Sequence, residues 1–156
     1  MDKLRRAFLK KIGGAGALMV AFGAGLLKAG EAFAVTWNKL AFSSGNVTDA
    51  MKNANYGGAV ESKDILLKLP DVAENGALVP IELTSNIPGT TSVAFFVEKN
   101  QYPMVAEFEF PSGTEPYIST RIKMSQTSHV RVAVRAGGKV YMQSKEVKVT
   151  IGGCAA

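Results

Sequence analysis

Cys154 is the only cysteine in a chain of 156 residues, and it stands near the end of the sequence in Gly152-Gly153-Cys154-Ala155-Ala156. One thiol excludes an internal disulfide. In an oxidising compartment it predicts either an intermolecular bond, such as a disulfide dimer through Cys154, or a free reactive thiol. The two glycines before it remove side-chain restraint on the backbone, so Gly152 and Gly153 are expected to act as the hinge of a swinging arm. Three residues from Ile151 to Cys154 span at most about 10 Å when extended. Every neighbour is small and neutral, as entry into a narrow channel of another protein requires. A free thiol titrates near about 8.5 and is activated by cations or helix N-termini. The chain's own carboxylate, two residues on, opposes ionisation. Activation is therefore expected from whatever site the arm enters.

The other reactive residues form no constellation. His129 is the only histidine. It heads a predicted strand, and nothing in the sequence brings it to Cys154. Glu107 and Glu109 alternate along one strand and are expected on a solvent face. Gly137-Gly138 reads as a turn and not as a phosphate loop. Metal sites draw several ligands from His and Cys; one of each is offered here, so no metal, cofactor or catalytic turnover is expected.

The elements that must present this tail are predicted as follows. Residues 1–34 read as an export signal. Arg5 and Arg6 lie in a basic start, Ile12 to Leu27 forms an uncharged run of 16 residues, and Ala32-Phe33-Ala34 is a small-x-small cleavage site ending at Ala34. Five glycines dilute the run, which is also short for a membrane span. Arg5-Arg6-Ala7-Phe8-Leu9-Lys10 resembles a twin-arginine signal, departing from it at Leu4, and implies export of an already folded protein to the periplasm. Six of the 18 Lys and Arg and two of the 13 Asp and Glu lie in this segment. The remaining 122 residues carry 12 basic and 11 acidic side chains, giving no reason to expect a nucleic-acid surface.

Residues 35–60 are expected to form an arm with one short helix over Asn46 to Ala54, capped by Asn46 or Thr48. Residues 61–151 read as strand after strand: Ile65–Leu69, Ala77–Thr84, Ser92–Glu98, Met104–Phe110, Tyr117–Met124, His129–Arg135, Lys139–Ser144 and Lys145–Ile151. Glu74-Asn75-Gly76 reads as a turn, and Pro80 marks an edge strand or a bulge. Seven or eight short strands and no long helix predict an all-β fold, an antiparallel β-sandwich of immunoglobulin-like type. Residues 152–156 form the tail.

Three segments resemble one family. Val149-Thr150-Ile151-Gly152-Gly153-Cys154 is similar to the end of SoxY, the carrier subunit of bacterial thiosulfate oxidation. Leu69-Pro70-Asp71-Val72-Ala73-Glu74-Asn75-Gly76-Ala77-Leu78-Val79-Pro80-Ile81 resembles the family's Pro-x-(Ile/Val)-Ala-Glu-Asn-Gly segment, and Tyr117-Ile118-Ser119-Thr120-Arg121-Ile122 its ISTRI strand. The resemblance implies a heterodimer with a SoxZ-like subunit that crosses the membrane folded with this chain. It implies Cys154 as the covalent attachment point for sulfur intermediates. A c-type cytochrome enzyme would couple thiosulfate to it, and a hydrolase would release sulfate. The family ends Gly-Gly-Cys-Gly-Gly where this chain has Ala155 and Ala156, which add two methyl groups beyond the thiol.

Overall fold

In the computed structural model the described residues are 37–152. The signal motif at Arg5 and Arg6, the cleavage site at Ala34, and Gly153 and Cys154 lie outside them.

Two short helices come first, α1 (Lys39–Phe42) and α2 (Val47–Asn53). The Asn38 side chain accepts from Ala41 N at 3.1 Å and the Asn46 side chain from Asp49 N at 2.8 Å, so each helix start has one of its orphan N–H groups satisfied. The expected helix is therefore present with Asn46 as its cap, and α1 is an addition to it. Nine strands follow: β1 (Val60–Glu61), β2 (Ile65–Lys68), β3 (Val72–Asn75), β4 (Val79–Ser85), β5 (Thr90–Val97), β6 (Met104–Glu109), β7 (Tyr117–Ile122), β8 (Ser128–Ala136) and β9 (Lys139–Ile151).

They form two sheets. The larger has the order β1-β9-β8-β5-β6, with β3 pairing along the far half of β9; the smaller is β2-β4-β7. Residues alternate between the faces of a strand. On β5, Val93, Phe95 and Val97 join Val130, Val132 and Val134 of β8 in a core shared with Ile81, Leu83 and Ile118 of the smaller sheet. Ala94 and Phe96 point the other way and meet Ala50, Met51, Ala54 and Tyr56 of the helical segment. The result is three layers: helices, large sheet, small sheet. Burial on both faces explains why β5 reads as a nearly unbroken apolar run.

The all-β sandwich expectation holds, with three differences of detail. First, Glu74-Asn75-Gly76 is not simply a turn: Val72–Asn75 is a strand, parallel to β9 in the register Val72↔Lys148, Ala73↔Val149 and Asn75↔Ile151. β1 also runs parallel to β9, so the large sheet is mixed rather than antiparallel throughout. Second, the two predicted strands over residues 139–151 are one continuous strand. Third, Pro80 lies in the central strand of the small sheet. It is tolerated there because the β2–β4 ladder ends at Lys68↔Glu82, leaving Arg121 of β7 as its only cross-strand partner. The Gly137-Gly138 turn is as expected. Both glycines have positive φ (56° and 74°), the conformation a two-residue hairpin between Ala136 and Lys139 demands.

Candidate functional site: the root of the cysteine tail

β9 ends at Ile151, and what holds that end determines where the tail leaves the domain. On one side is the end of β3. Gly76 N–H donates to the Ile151 carbonyl at 2.8 Å, and the Gly76 carbonyl accepts from Met124 N at 2.7 Å. The turn that carries Gly76 is itself braced, since Asn75 Oδ1 accepts from Ala77 N at 2.8 Å. Below it, Asp71 O accepts from Lys148 N at 3.0 Å. On the other side is the loop after β7. Thr127 Oγ1 accepts from Val149 N at 2.9 Å. Ser125 N–H donates to Asn100 Oδ1 at 2.9 Å, its hydroxyl donates to the Lys99 carbonyl at 3.0 Å, and Asn100 Nδ2 donates to the Lys123 carbonyl at 2.8 Å.

Gly152 sits against this loop. A Cβ on Gly152 would collide with the Ser125 carbonyl oxygen and lie 3.3 Å from its carbon. The backbone passes so close that the position has no room for a side chain.

A third tie lies further down β9. Lys145 Nζ donates to the Leu69 carbonyl at 2.7 Å and pairs with Asp71 Oδ1 at 2.8 Å. The hydrogen bond from Lys145 to the Asp71 carboxylate and the lysine's charge, with Lys148 adding to them, hold the Asp71 carboxyl below the usual carboxylate range.

The remaining candidates do not converge on this place. His129 pairs in register with Glu146, five residues before Ile151, or about 17 Å along the strand. Its Nδ1 lies 4.0 Å from Glu98 Oε2, and the same carboxylate binds Arg131. Glu107 is not the solvent-face carboxylate expected: it is half-buried under the helices, with its Oε1 3.0 Å from the Tyr56 hydroxyl. Glu109 is exposed as expected. Among the described residues no group of three His, Cys, Asp or Glu side chains is placed to hold a metal, and no helix is long and apolar enough to cross a membrane. A surface hollow lined in part by Ser85, Ile87, Phe110 and Pro116 lies at the hairpin end of the sandwich, away from Ile151.

Sequence reasoning singles out the glycines and the thiol but misses Gly76, Asn100 and Ser125. An Asn-Gly pair is a strong turn signal, and that reading hides the strand before it.

The model of the family described as sulfur oxidation protein SoxY matches residues 52–154, from within α2 through Cys154. The chain belongs to the SoxY family. Among solved structures, the sulfur carrier protein SoxY from Chlorobium limicola f thiosulfatophilum is 42% identical, with a TM-score of 0.58, over 66% of this chain and 96% of that one. Superoxide reductase (neelaredoxin) from Ignicoccus hospitalis matches at 15% identity and a TM-score of 0.47, over 64% of this chain and 86% of that one. A variant of the same reductase gives 11% and 0.49, over 63% and 86%. No curated protein matches. The two SoxY-like motifs now have structural places. The ISTRI segment is β7, in the smaller sheet. The Glu-Asn-Gly segment closes β3 and grips the end of β9.

Proposed function

We propose that this SoxY-family chain is a covalent carrier of sulfur intermediates in thiosulfate oxidation, with Cys154 as the attachment atom and no turnover of its own. The observation that carries the reading is the family match, which runs through the tail and includes the only thiol. The 42% identity to the Chlorobium sulfur carrier protein supports it.

The chemistry needs little from the carrier. The Cys154 thiol gives its proton to solvent, and the resulting thiolate and thiosulfate join through a new S–S bond, forming Cys-S-S-SO3⁻. Two electrons leave to an oxidant, here a c-type cytochrome enzyme. Water then cleaves the outer sulfur–sulfur bond. Sulfate departs and a persulfide remains on Cys154 for further oxidation or transfer. Each step takes its catalytic groups from the visiting enzyme. The carrier's task is to hold the root of the tail and present the thiol among small, uncharged side chains. On this reading the chain works in the periplasm after twin-arginine export, as a heterodimer with a SoxZ-like subunit.

Intact-protein mass spectrometry on the chain purified from cells oxidising thiosulfate tests this directly. Thiosulfonate and persulfide adducts are expected on Cys154. Cys154→Ser is expected to abolish them while the partner subunit still co-purifies. A thiol found only free, or only as a plain disulfide dimer, in such cells overturns the proposal.

A further inference from the structure

We propose that Gly152 is the fixed seat of the cysteine tail rather than part of its hinge, and that the Gly76 and Ser125 contacts form a clamp that positions it. The inference deepens the carrier reading above and rests on it for its functional consequence.

Two glycines in sequence suggest two equivalent pivots, but their surroundings separate them. Gly152 follows directly on Ile151, whose carbonyl is held by Gly76 N–H at 2.8 Å. Its own Cα faces the Ser125 carbonyl so closely that any side chain would collide with backbone. Backbone gives way far less easily than the end of a flexible side chain. Glycine is required here by contact. Nor is the Ser125 carbonyl adrift: the N–H and hydroxyl of the same residue are bonded to Asn100 Oδ1 and the Lys99 carbonyl, and Asn100 is bonded back to the Lys123 carbonyl. Gly76 is tied in the same way, through its carbonyl to Met124 N at 2.7 Å. Met124 is fully buried in the core between the sheets. The clamp is thus a closed set of bonds, running from β3 through the post-β7 loop to β9 and anchored in the core.

The consequence is a shorter reach. With Ile151 and Gly152 fixed, neither supplies the conformational freedom that a carrier needs. Two residues, not three, then span the distance from the seat to Cys154, about 7 Å at full extension. A visiting enzyme must bring its reacting group within that radius plus one cysteine side chain. Its docking footprint therefore has to include the rim of the clamp. Asn100 is a positioning residue in this scheme, since it acts through Ser125.

The test uses the full chain with Gly152→Ala, Gly153→Ala and Asn100→Ala. Amide hydrogen exchange is read at Gly76, Met124 and Ser125. Loading of Cys154 from thiosulfate is read by intact mass in an extract of thiosulfate-grown host cells, beside alkylation by iodoacetamide. Gly152→Ala is expected to speed exchange at the three amides at least tenfold and to slow enzymatic loading at least tenfold, with alkylation within twofold of wild type. Asn100→Ala is expected to do the same, most strongly at Ser125. Gly153→Ala is expected to leave the exchange rates unchanged. If Gly152→Ala exchanges like wild type at all three amides, or if the two glycine variants behave alike, the seat does not exist. Absence of loading in wild type would instead sink the carrier reading, and the exchange result would stand apart from it.

Discussion

Tyr56 joins the helical layer to the large sheet by four separate interactions. Its hydroxyl lies 2.8 Å from Ser92 Oγ and 3.0 Å from Glu107 Oε1. The carboxylate can only accept, so the phenol donates its hydrogen bond to Glu107 and Ser92 is left to donate to the phenolic oxygen. The Arg135 guanidinium stands 4.4 Å over the ring, and Phe96 meets it edge-on at 6.2 Å. Arg135 also donates to the Ala54 carbonyl at 3.0 Å, tying down the end of α2. Tyr56→Phe keeps the ring contacts but leaves Ser92, which is 2% exposed, without its partner. The expected loss is about 1–3 kcal/mol in urea unfolding. The pH dependence has a definite sign. Burial, aided by Glu107, pushes the Tyr56 pKa well above its ordinary value, so the folded state keeps the proton after the unfolded chain has lost it. The stability contributed by the protonated phenol is complete below about pH 10 and falls as pH rises beyond the unfolded value. Stability curves from pH 8 to 11 should show this alkaline decline in wild type and less of it in Tyr56→Phe. Equal slopes in the two proteins would show that Tyr56 titrates alike in both states.

Among the elements, β3 and β9 show best which parts of the fold are legible in the sequence. Alternation of apolar and polar residues reveals β4, β7 and β8, and a nearly unbroken apolar run reveals β5, because each has several buried positions. It cannot reveal β3, in which only Ala73 of four residues is buried. That strand exists because it pairs with residues about 75 positions later, and such a pairing leaves no local pattern. β9 reads as broken because Gln143-Ser144-Lys145-Glu146 interrupts the apolar alternation, yet its backbone continues through β8 pairing from Lys139 to Val147. The tail's small residues are legible; the clamp that seats them is not, since it is made mostly of backbone groups from three distant segments. Lys145 is the side-chain member of the β3–β9 junction. Lys145→Met should raise the Asp71 titration midpoint toward the ordinary carboxylate range in a carbon-detected NMR titration, because both the hydrogen bond and the nearest charge are lost. In wild type the lowered pKa favours the fold above the unfolded carboxylate value, and this contribution fades as pH falls through the folded one. The Asp71 side chain is 89% exposed, so solvent screens the pair and overall stability should hardly change. An unmoved midpoint would mean that Lys148 or another group sets the Asp71 environment.

At the scale of the whole molecule, the large sheet separates two apolar clusters that need not open together. Adjacent residues on β5 report on them. Phe95 faces the small sheet and packs on Phe108 with ring centres 5.6 Å apart, whereas Phe96 faces the helices and Tyr56; both are fully buried. Truncating either to alanine should cost about 3–5 kcal/mol if unfolding is all-or-none. The helical layer, however, consists of helices of four and seven residues, far too short to persist alone. Its stability comes from the cluster of Ala50, Met51, Ala54 and Tyr56 on Ala94, Phe96 and Ala133. Loss of the Phe96 ring should therefore release the helices before the sandwich, as a local opening of low free energy. Native-state hydrogen exchange distinguishes the two outcomes. In Phe96→Ala the amides of Ala50 and Ala54, which close α2 onto Asn46 and Ala50, should exchange well before those of β5 and β8. In Phe95→Ala the β5 and β8 amides should lose protection along with the helices, because the shared core of the sandwich is what has been weakened. If α2 in Phe96→Ala exchanges only through global unfolding, the three layers form one cooperative unit. The tail root at the far end of β9 would then be coupled to the helical face through the sheet between them.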